Sequence, residues 1–409
     1  AEDEALSVEL GLTCGELERR LGMVDDSLAT FKALGPRARS EAQRLRAYLG
    51  QAECLNLSDR HDEALAVLGR ASGSTEEPAL LAAVHSLRGN VLFSCGDARS
   101  CRREHELALA AARRAGDAAA EARALNGVGD ACYLSGAYRS TSDYLKASIA
   151  IAEREQMPAI ASLSWSIHAA SRVFCADVAA GHEAVLKAVA LADQAMDAKA
   201  QVLAAAVCAK VNLYRLDLDA SERAGQQVLA RSRRVGTLRL AQYALLRLAW
   251  VAERRGQREL AMRRFEEAWT LASEVGKLFL GSALLAGMAV LDRPRAAALL
   301  DEGEEHLHHE PRIDHNTIYF HIHGVRAAYQ LGDEARLRRY AQALIDDPGE
   351  STEFRGFHGR CGLLLAERLA GRADAETEAE LRSLHGWARG RGLLWDAALL
   401  DEAIAQRGA

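Results

Sequence analysis

Along residues 238 to 277, LRLAQYALLRLAWVAERRGQRELAMRRFEEAWTLASEVGK, apolar positions recur every three or four residues, stop at Gly256, and resume. That spacing gives each half one apolar stripe, so the stretch predicts two helices joined by a tight turn. The same alternation runs through the chain. Turn signals fall at Gly22, Ser58-Asp59, Gly96, Gly136, Ala176-Asp177, Leu216-Asp217, Gly256, Gly332 and Gly371, at spacings of roughly 36 to 41 residues with one double step. Six prolines in 409 residues, in a chain rich in alanine, leucine, arginine and glutamate, leave few places where helix is forbidden. The prediction is an all-α chain of about ten helical hairpins.

Small residues at fixed places explain how such hairpins close. In the 238 to 277 unit Ala249 lets the two helices approach, Ala261 and Ala268 lie on the inward side of the second helix, and Phe265 fills the gap between hairpins. The series Ala249, Gly256, Ala261, Phe265, Ala268 resembles the tetratricopeptide repeat (TPR). It recurs in part as Gly89, Phe93, Gly96 and Ala108, as Gly129, Gly136 and Tyr138, and as residues 59 to 64 with Leu68 and Ala71. The period exceeds the 34 residues of that repeat, which implies longer helices. One hairpin cannot bury its apolar face alone, so the expected architecture is a right-handed superhelical α-solenoid with a concave surface lined by the first helix of each pair. Pro294 and Pro311 interrupt helix in the least regular stretch, giving an expected division into hairpins at 1–290, an irregular junction at 291–313 and further hairpins at 314–409.

Charge narrows the function. With 51 basic and 57 acidic residues the net charge is −6, so no overall field draws the chain to nucleic acid or an anionic membrane, and neither is an expected partner. Cys14, Cys54, Cys95, Cys101, Cys132, Cys175, Cys208 and Cys361 are scattered without a C-x-x-C pair, as expected of small apolar residues kept reduced in the cytoplasm. No apolar run reaches the roughly 18 residues that span a bilayer. A chain that opens on Ala1, inside what reads as a helix, is expected to be a piece of a longer one.

Catalytic signatures are missing. There is no phosphate-cradling G-x-x-x-x-G-K-[ST], no H-E-x-x-H and no G-x-S-x-G elbow, so neither an enzyme nor a cofactor site is expected. The tempting feature is residues 306 to 324, HLHHEPRIDHNTIYFHIHG, which hold six of the 13 histidines. His306 and His309 share a helix side and, with Glu305, Glu310 and His315, offer zinc-type ligands. The pairs Glu304/His308, Glu305/His309 and His306/Glu310 are also four apart, the spacing of solvent-facing pairs, and Asp314 to Thr317 suit a helix start. His315, Tyr319 and His323 then share one face, as do Phe320 and Gly324, and packing with capping is the expected role, with no metal.

The order of units supports a closer comparison. LRGNVLFSCGDARSCRREHELALAAARRAGD, EARALNGVGDACYLSGAYRSTSDYLKASIAIAE and DHNTIYFH resemble the C-terminal repeat region of bacterial class III adenylate/guanylate cyclases that carry a P-loop ATPase module. The resemblance implies a regulatory arm that senses a ligand or partner for a larger signalling ATPase or cyclase. Neither the cyclase's metal-binding aspartates nor the phosphate loop has a match here, so no activity is implied. LuxR-type ATP-dependent transcriptional regulators have related arrays, and a freestanding adaptor that binds a partner peptide is a third setting.

Projecting the repeat frame gives inner-surface candidates. They are Asn90, with Ser86 and Phe93; Arg123, Asn126, Asp130 and Tyr133; Lys210 and Tyr214; and Tyr243, Arg247 and Trp250, with Glu253 beyond. Aromatics mixed with Arg, Asn and Asp suit a peptide or a small polar signalling ligand. The cluster Arg113, Arg114, Arg231, Arg233 and Arg234 lies near ends of second helices, where positive charge complements the helix dipole.

Overall fold

The structure, a computed structural model, describes residues 2–405 apart from 22, 59, 74, 236–237, 309–311 and 348. Among these residues there is no strand; the chain forms 21 α-helices and one short 3-10 turn, Gly35–Arg37. Gly22 and Asp59, read as turn positions, lie outside the described residues, as do His309, Glu310 and Pro311.

The helices run α1 (Glu2–Arg20), α2 (Val24–Leu34), α3 (Glu41–Leu57), α4 (His61–Ser72), α5 (Pro78–Ser94), α6 (Ala98–Ala115), α7 (Ala118–Leu134), α8 (Tyr138–Arg154), α9 (Pro158–Phe174), α10 (Val178–Ala195) and α11 (Ala198–Tyr214). They continue as α12 (Leu218–Val235), α13 (Leu238–Arg254), α14 (Arg258–Val275), α15 (Gly281–Leu291), α16 (Ala296–His308), α17 (Asp314–Leu331), α18 (Glu334–Asp346), α19 (Thr352–Leu369), α20 (Ala375–Gly390) and α21 (Leu394–Ala405). Successive helices pair as antiparallel hairpins that stack into a right-handed TPR-like α-solenoid.

The period is more regular than the sequence signals. Left-handed residues end successive helices at Gly96, Gly116, Gly136, Gln156, Ala176, Met196 and Leu216, steps of 20 residues, and Gly256 and Gly276 continue the series. Two helices of 17 or 18 residues plus two such corners make a 40-residue unit, longer than the standard repeat as its period implied. An aspartate after the corner often starts the next helix. Asp97, Asp117, Asp177, Asp197 and Asp217 each accept a hydrogen bond from the backbone N–H three residues on, at 2.8 to 3.1 Å. Four corners place a non-glycine residue at φ of 51 to 58°, a conformation that costs about 1 kcal/mol or more; the array imposes its geometry there against local preference.

Glycine notches set the distance between helices. His105 of α6 lies between Gly89 of α5 and Gly127 of α7, and a Cβ at either glycine would overlap its ring. Phe265 of α14 rests on Gly287 of α15 in the next hairpin, as its sequence place suggested, and Gly324 receives Tyr340. Ala249, Ala261 and Ala268 are fully buried. The eight cysteines are free thiols; Cys54, Cys101, Cys132 and Cys361 are buried, whereas Cys14 is exposed.

The concave face is not an open groove throughout. The late hairpins turn back onto it, and one apolar core runs from Tyr138 to Leu400 past residues 291–313, which include α16; a smaller core spans Val8 to Val91. Phe174 and Tyr214 end α9 and α11, and Trp250 stands in the last turns of α13. Phe174 meets Tyr319 and Phe354 at 5.6 Å, Tyr214 meets Trp395 at 5.7 Å, and Trp250 meets His323 at 4.3 Å and Trp395 at 5.8 Å. Polar contacts set the register. Asp314 pairs with Arg355, accepts from the Tyr138 hydroxyl at 2.9 Å, and lies on Gly136, where any side chain would collide with its carboxylate. Arg355 also pairs with Asp347 at 2.8 Å, and Ser140 donates its N–H and hydroxyl to Glu350 at 2.8 and 2.7 Å.

Two predictions follow from this packing. Gly127→Ala is expected to lower unfolding stability by about 1–3 kcal/mol in urea denaturation, whereas Gly69→Ala, on an exposed face of α4 with nothing within 4 Å, raises it by about 0.5–1 kcal/mol. Equal effects would contradict the notch. Arg355→Met, which strands the Asp314 carboxylate in the core, is expected to cost about 3–5 kcal/mol at neutral pH, with part of the loss recovered in the double variant with Asp314→Asn.

Candidate functional site

Where the returning helices do not reach, the concave face keeps a cavity of about 780 Å³, within the range of pockets that hold small molecules or a few residues of peptide. Five first helices, α5, α7, α9, α11 and α13, contribute inner residues, and α17 completes the wall with His315 and Tyr319.

The repeat frame finds much of this wall. Asn90, Arg123, Asn126, Asp130, Tyr133, Lys210, Tyr243 and Arg247 all line the cavity, as do Ser86 and Phe93. Tyr214 and Trp250 do not. They occupy inner positions as projected, but α17, α19 and α21 cover them, and they are 2% and 0% exposed. Their rings pack the core. Glu253 likewise leaves the cavity wall and pairs with Arg326.

Asn126 is held in one orientation by a relay. Ser164 donates to Asn126 Oδ1 at 2.9 Å, and Asn126 Nδ2 donates to Asp130 Oδ2 at 2.9 Å. Asp130 keeps part of its surface toward the cavity, but protein surrounds it closely enough that burial pushes its carboxyl up to about 7, against the hydrogen bond from Asn126. Asn90 and Arg123 are exposed at the mouth.

Opposite chemistry occupies the floor. Lys210 and Arg247 are 5% and 3% exposed. Lys210 Nζ donates to the Ala170 carbonyl at 3.1 Å and lies 3.7 Å above the Phe174 ring. Burial, then the neighbouring Arg247, hold its ammonium well below the ordinary lysine value. Arg247 donates to the Tyr319 hydroxyl at 2.9 Å. His315, hydrogen-bonded to the Tyr243 hydroxyl, is pushed down to about 3 by burial and then by Lys210, Arg247 and Arg239. The floor is thus a largely desolvated pocket that holds the Arg247 charge and the Lys210 amine, with three tyrosine rings, Tyr133, Tyr243 and Tyr319, around it.

Several wall residues escaped the sequence reading. Arg239 lies 4.0 Å from the Phe279 ring, and both line the cavity. Arg233, grouped with dipole-complementing arginines, also lines it, whereas Arg113 pairs with Glu121; the Arg234 side chain lies outside those described. His315, Tyr319 and His323 share a face of α17 as expected, but that face meets residues 72 or 73 positions away, a contact no repeat period encodes. His306 lies 5.9 Å from Trp269, and among the described residues no three acidic, cysteine or histidine groups are placed to hold a metal ion. No described helix is long and apolar enough to cross a membrane.

No family model matches the chain. A curated protein, the tRNA modification GTPase MnmE of Beijerinckia indica subsp. indica, is 32% identical over 122 residues; this is 28% of the chain and 27% of that protein, so the chain spans about a quarter of its length. Among solved structures, the fold is similar to a Rap protein complexed with competence and sporulation factor, with a TM-score of 0.58 and 14% identity over 90% of this chain and 100% of that one. It is similar to the apo form of the quorum sensor NprR from B. thuringiensis, with a TM-score of 0.52 and 12% identity over 84% and 98%. An IFIT1 monomeric mutant with Gppp-AAAA gives a TM-score of 0.50 and 13% identity over 98% and 90%. At these identities the likeness shows the helical-repeat fold.

The Asp130 environment makes a pH prediction. A carboxyl whose folded value lies above its unfolded value binds its proton more tightly when folded, so its contribution to stability falls as pH rises from about 4 to about 7. Asp130→Asn is therefore expected to gain stability over the parent progressively between pH 4 and pH 8, in urea titrations at each pH. A constant difference across that window would contradict the burial assigned to Asp130.

Proposed function

We propose that the chain is a non-catalytic, ligand-sensing and protein-interaction region of TPR-like repeats that regulates a larger signalling ATPase or nucleotide cyclase. The observation that carries the reading is the cavity: five repeat units and α17 converge on one polar-floored space. Its occupant, a peptide or a small polar ligand, would touch the array and the returning hairpins at once. The similarity in fold to a Rap protein complexed with competence and sporulation factor supports a ligand-binding use of such an array. The resemblance of residues 87 to 155 and 314 to 321 to the cyclase-associated repeats supplies the signalling setting.

On this reading, residues 314–409 are the part that moves against 1–290, with 291–313 between them, and occupancy changes their relative position or the chain's association with a partner. A ligand acts this way only through a difference in affinity between the two arrangements.

The test is thermal and urea unfolding of the full chain in the presence of fractionated short peptides and polar metabolites. A ligand at 100 times its Kd should stabilise the chain by about 2.7 kcal/mol. Leu203→Trp, which places a large ring against the cavity wall, should abolish that gain while retaining helicity. Equal stabilisation of both proteins would remove the cavity from the function.

A further inference from the structure

We infer that the floor of the cavity is a carboxylate site: the ligand carries one acidic group that bridges Lys210 and Arg247, with an uncharged body along Leu203, Val207 and the other apolar walls. This rests on the reading of the cavity as a ligand site and adds the chemistry of what it takes.

Buried cations in proteins are ordinarily paired, because taking a charge out of water costs several kcal/mol unless another charge compensates. Lys210 and Arg247 lie buried together without a carboxylate partner, and Lys210 gives up proton affinity in consequence. Among the described residues neither makes an ion pair with a carboxylate; their partners are a carbonyl, tyrosine hydroxyls and aromatic rings, and the one acidic group that raises the proton affinity of Lys210 is the Cys175 thiol. They are close enough that Arg247 lowers the proton affinity of Lys210. Arg247 Nε–H is buried without an acceptor. Arg239 adds to the positive field at the neighbouring His315. An anion placed between the two groups supplies what each lacks, and a carboxylate offers one oxygen to each.

The single charge of a carboxylate also suits the site better than a phosphate dianion. The desolvation cost of an ion rises with the square of its charge, and the buried pair Lys210 and Arg247, with Arg239 acting on the neighbouring His315, balances one negative charge more readily than two. Asp130 lies elsewhere on the wall, held by Asn126, and it disfavours a second negative group there.

A structural role for Lys210 makes a different prediction. If the ammonium holds α11 to α9 through the Ala170 carbonyl, Lys210→Met destabilises the ligand-free chain. If it serves a ligand, removing a buried amine that has no counter-ion leaves stability unchanged or higher.

The experiment uses the full chain and three probes, hexanoate, hexanamide and hexyl phosphate, at matched ionic strength, with titration calorimetry and the His315 ring resonances as readouts. Hexanoate is expected to bind at least about tenfold more tightly than hexanamide, with the preference lost in Lys210→Met and in Arg247→Met and kept in Lys210→Arg. Lys210→Met is expected to unfold at the same or higher urea concentration than the parent. Tighter binding of hexyl phosphate overturns the carboxylate assignment. Equal binding of hexanoate and hexanamide, a preference that survives both Met variants, or no binding by any probe overturns the anion site. If peptides or metabolites still respond to Leu203→Trp in those cases, the cavity remains the ligand site and this inference alone fails. Loss of that response as well takes the broader reading with it.

Discussion

The structure depends on the burial of an aromatic row on the concave face by the chain's own late hairpins. Phe174, Tyr214 and Trp250 face inward from successive units and would sit in water if the array ended at α14. Tyr319, Phe354 and Trp395 cover them. Burying a large apolar side chain contributes about 1.5–3 kcal/mol, whereas a buried ion pair often only breaks even against its desolvation. The aromatic layer therefore drives closure, and Asp314, Arg355 and Tyr138 fix where it stops. The cavity is the part of the concave face beyond the reach of that layer.

The legible part of this molecule is the part that repeats. A 40-residue unit leaves its mark in sequence because every unit solves the same packing problem, so glycine notches and turn positions recur. Ten of the thirteen inner-surface candidates line one cavity for the same reason: knowing the inner face of one first helix gives it for the next. Trp250 and Tyr214 belong to the same projected stripe, but exposure along it depends on what folds over it. The covering residues lie 181 and 73 or more positions away, as Trp395 on Tyr214 and His323 on Trp250 show. Periodicity carries no information about such contacts. Even the corner signals are incomplete, since Gln156 and Met196 take the left-handed conformation without a glycine to announce it.

The histidine-rich segment shows how composition misleads when topology is unknown. Six histidines within 19 residues suggest a metal, but a helix directs neighbouring residues to different surroundings. His315 faces the cavity floor, His321 lies against Phe320 and Tyr340, and His323 stacks in the aromatic layer with Trp250 and Tyr319. Burial lowers the proton affinity of all three, so they serve as neutral, flat, polar-edged rings. A ring of this kind packs like an aromatic while keeping one nitrogen for a hydrogen bond, as His315 does with Tyr243.

Closure and the charged floor bear on each other. The cavity wall belongs to both the repeating array and α17, so the free energy of a bound ligand is shared between them and cannot be separated from the energy of closure. Typical couplings between sites are about 1–3 kcal/mol, comparable to covering one large aromatic side chain. A ligand that satisfies Lys210 and Arg247 only when Tyr319 and His315 are in place would therefore shift the balance of closure by an amount the aromatic layer alone does not fix. A solenoid that stayed open would offer the same inner residues but no such leverage, because its ligand would touch only units already held together by their neighbours.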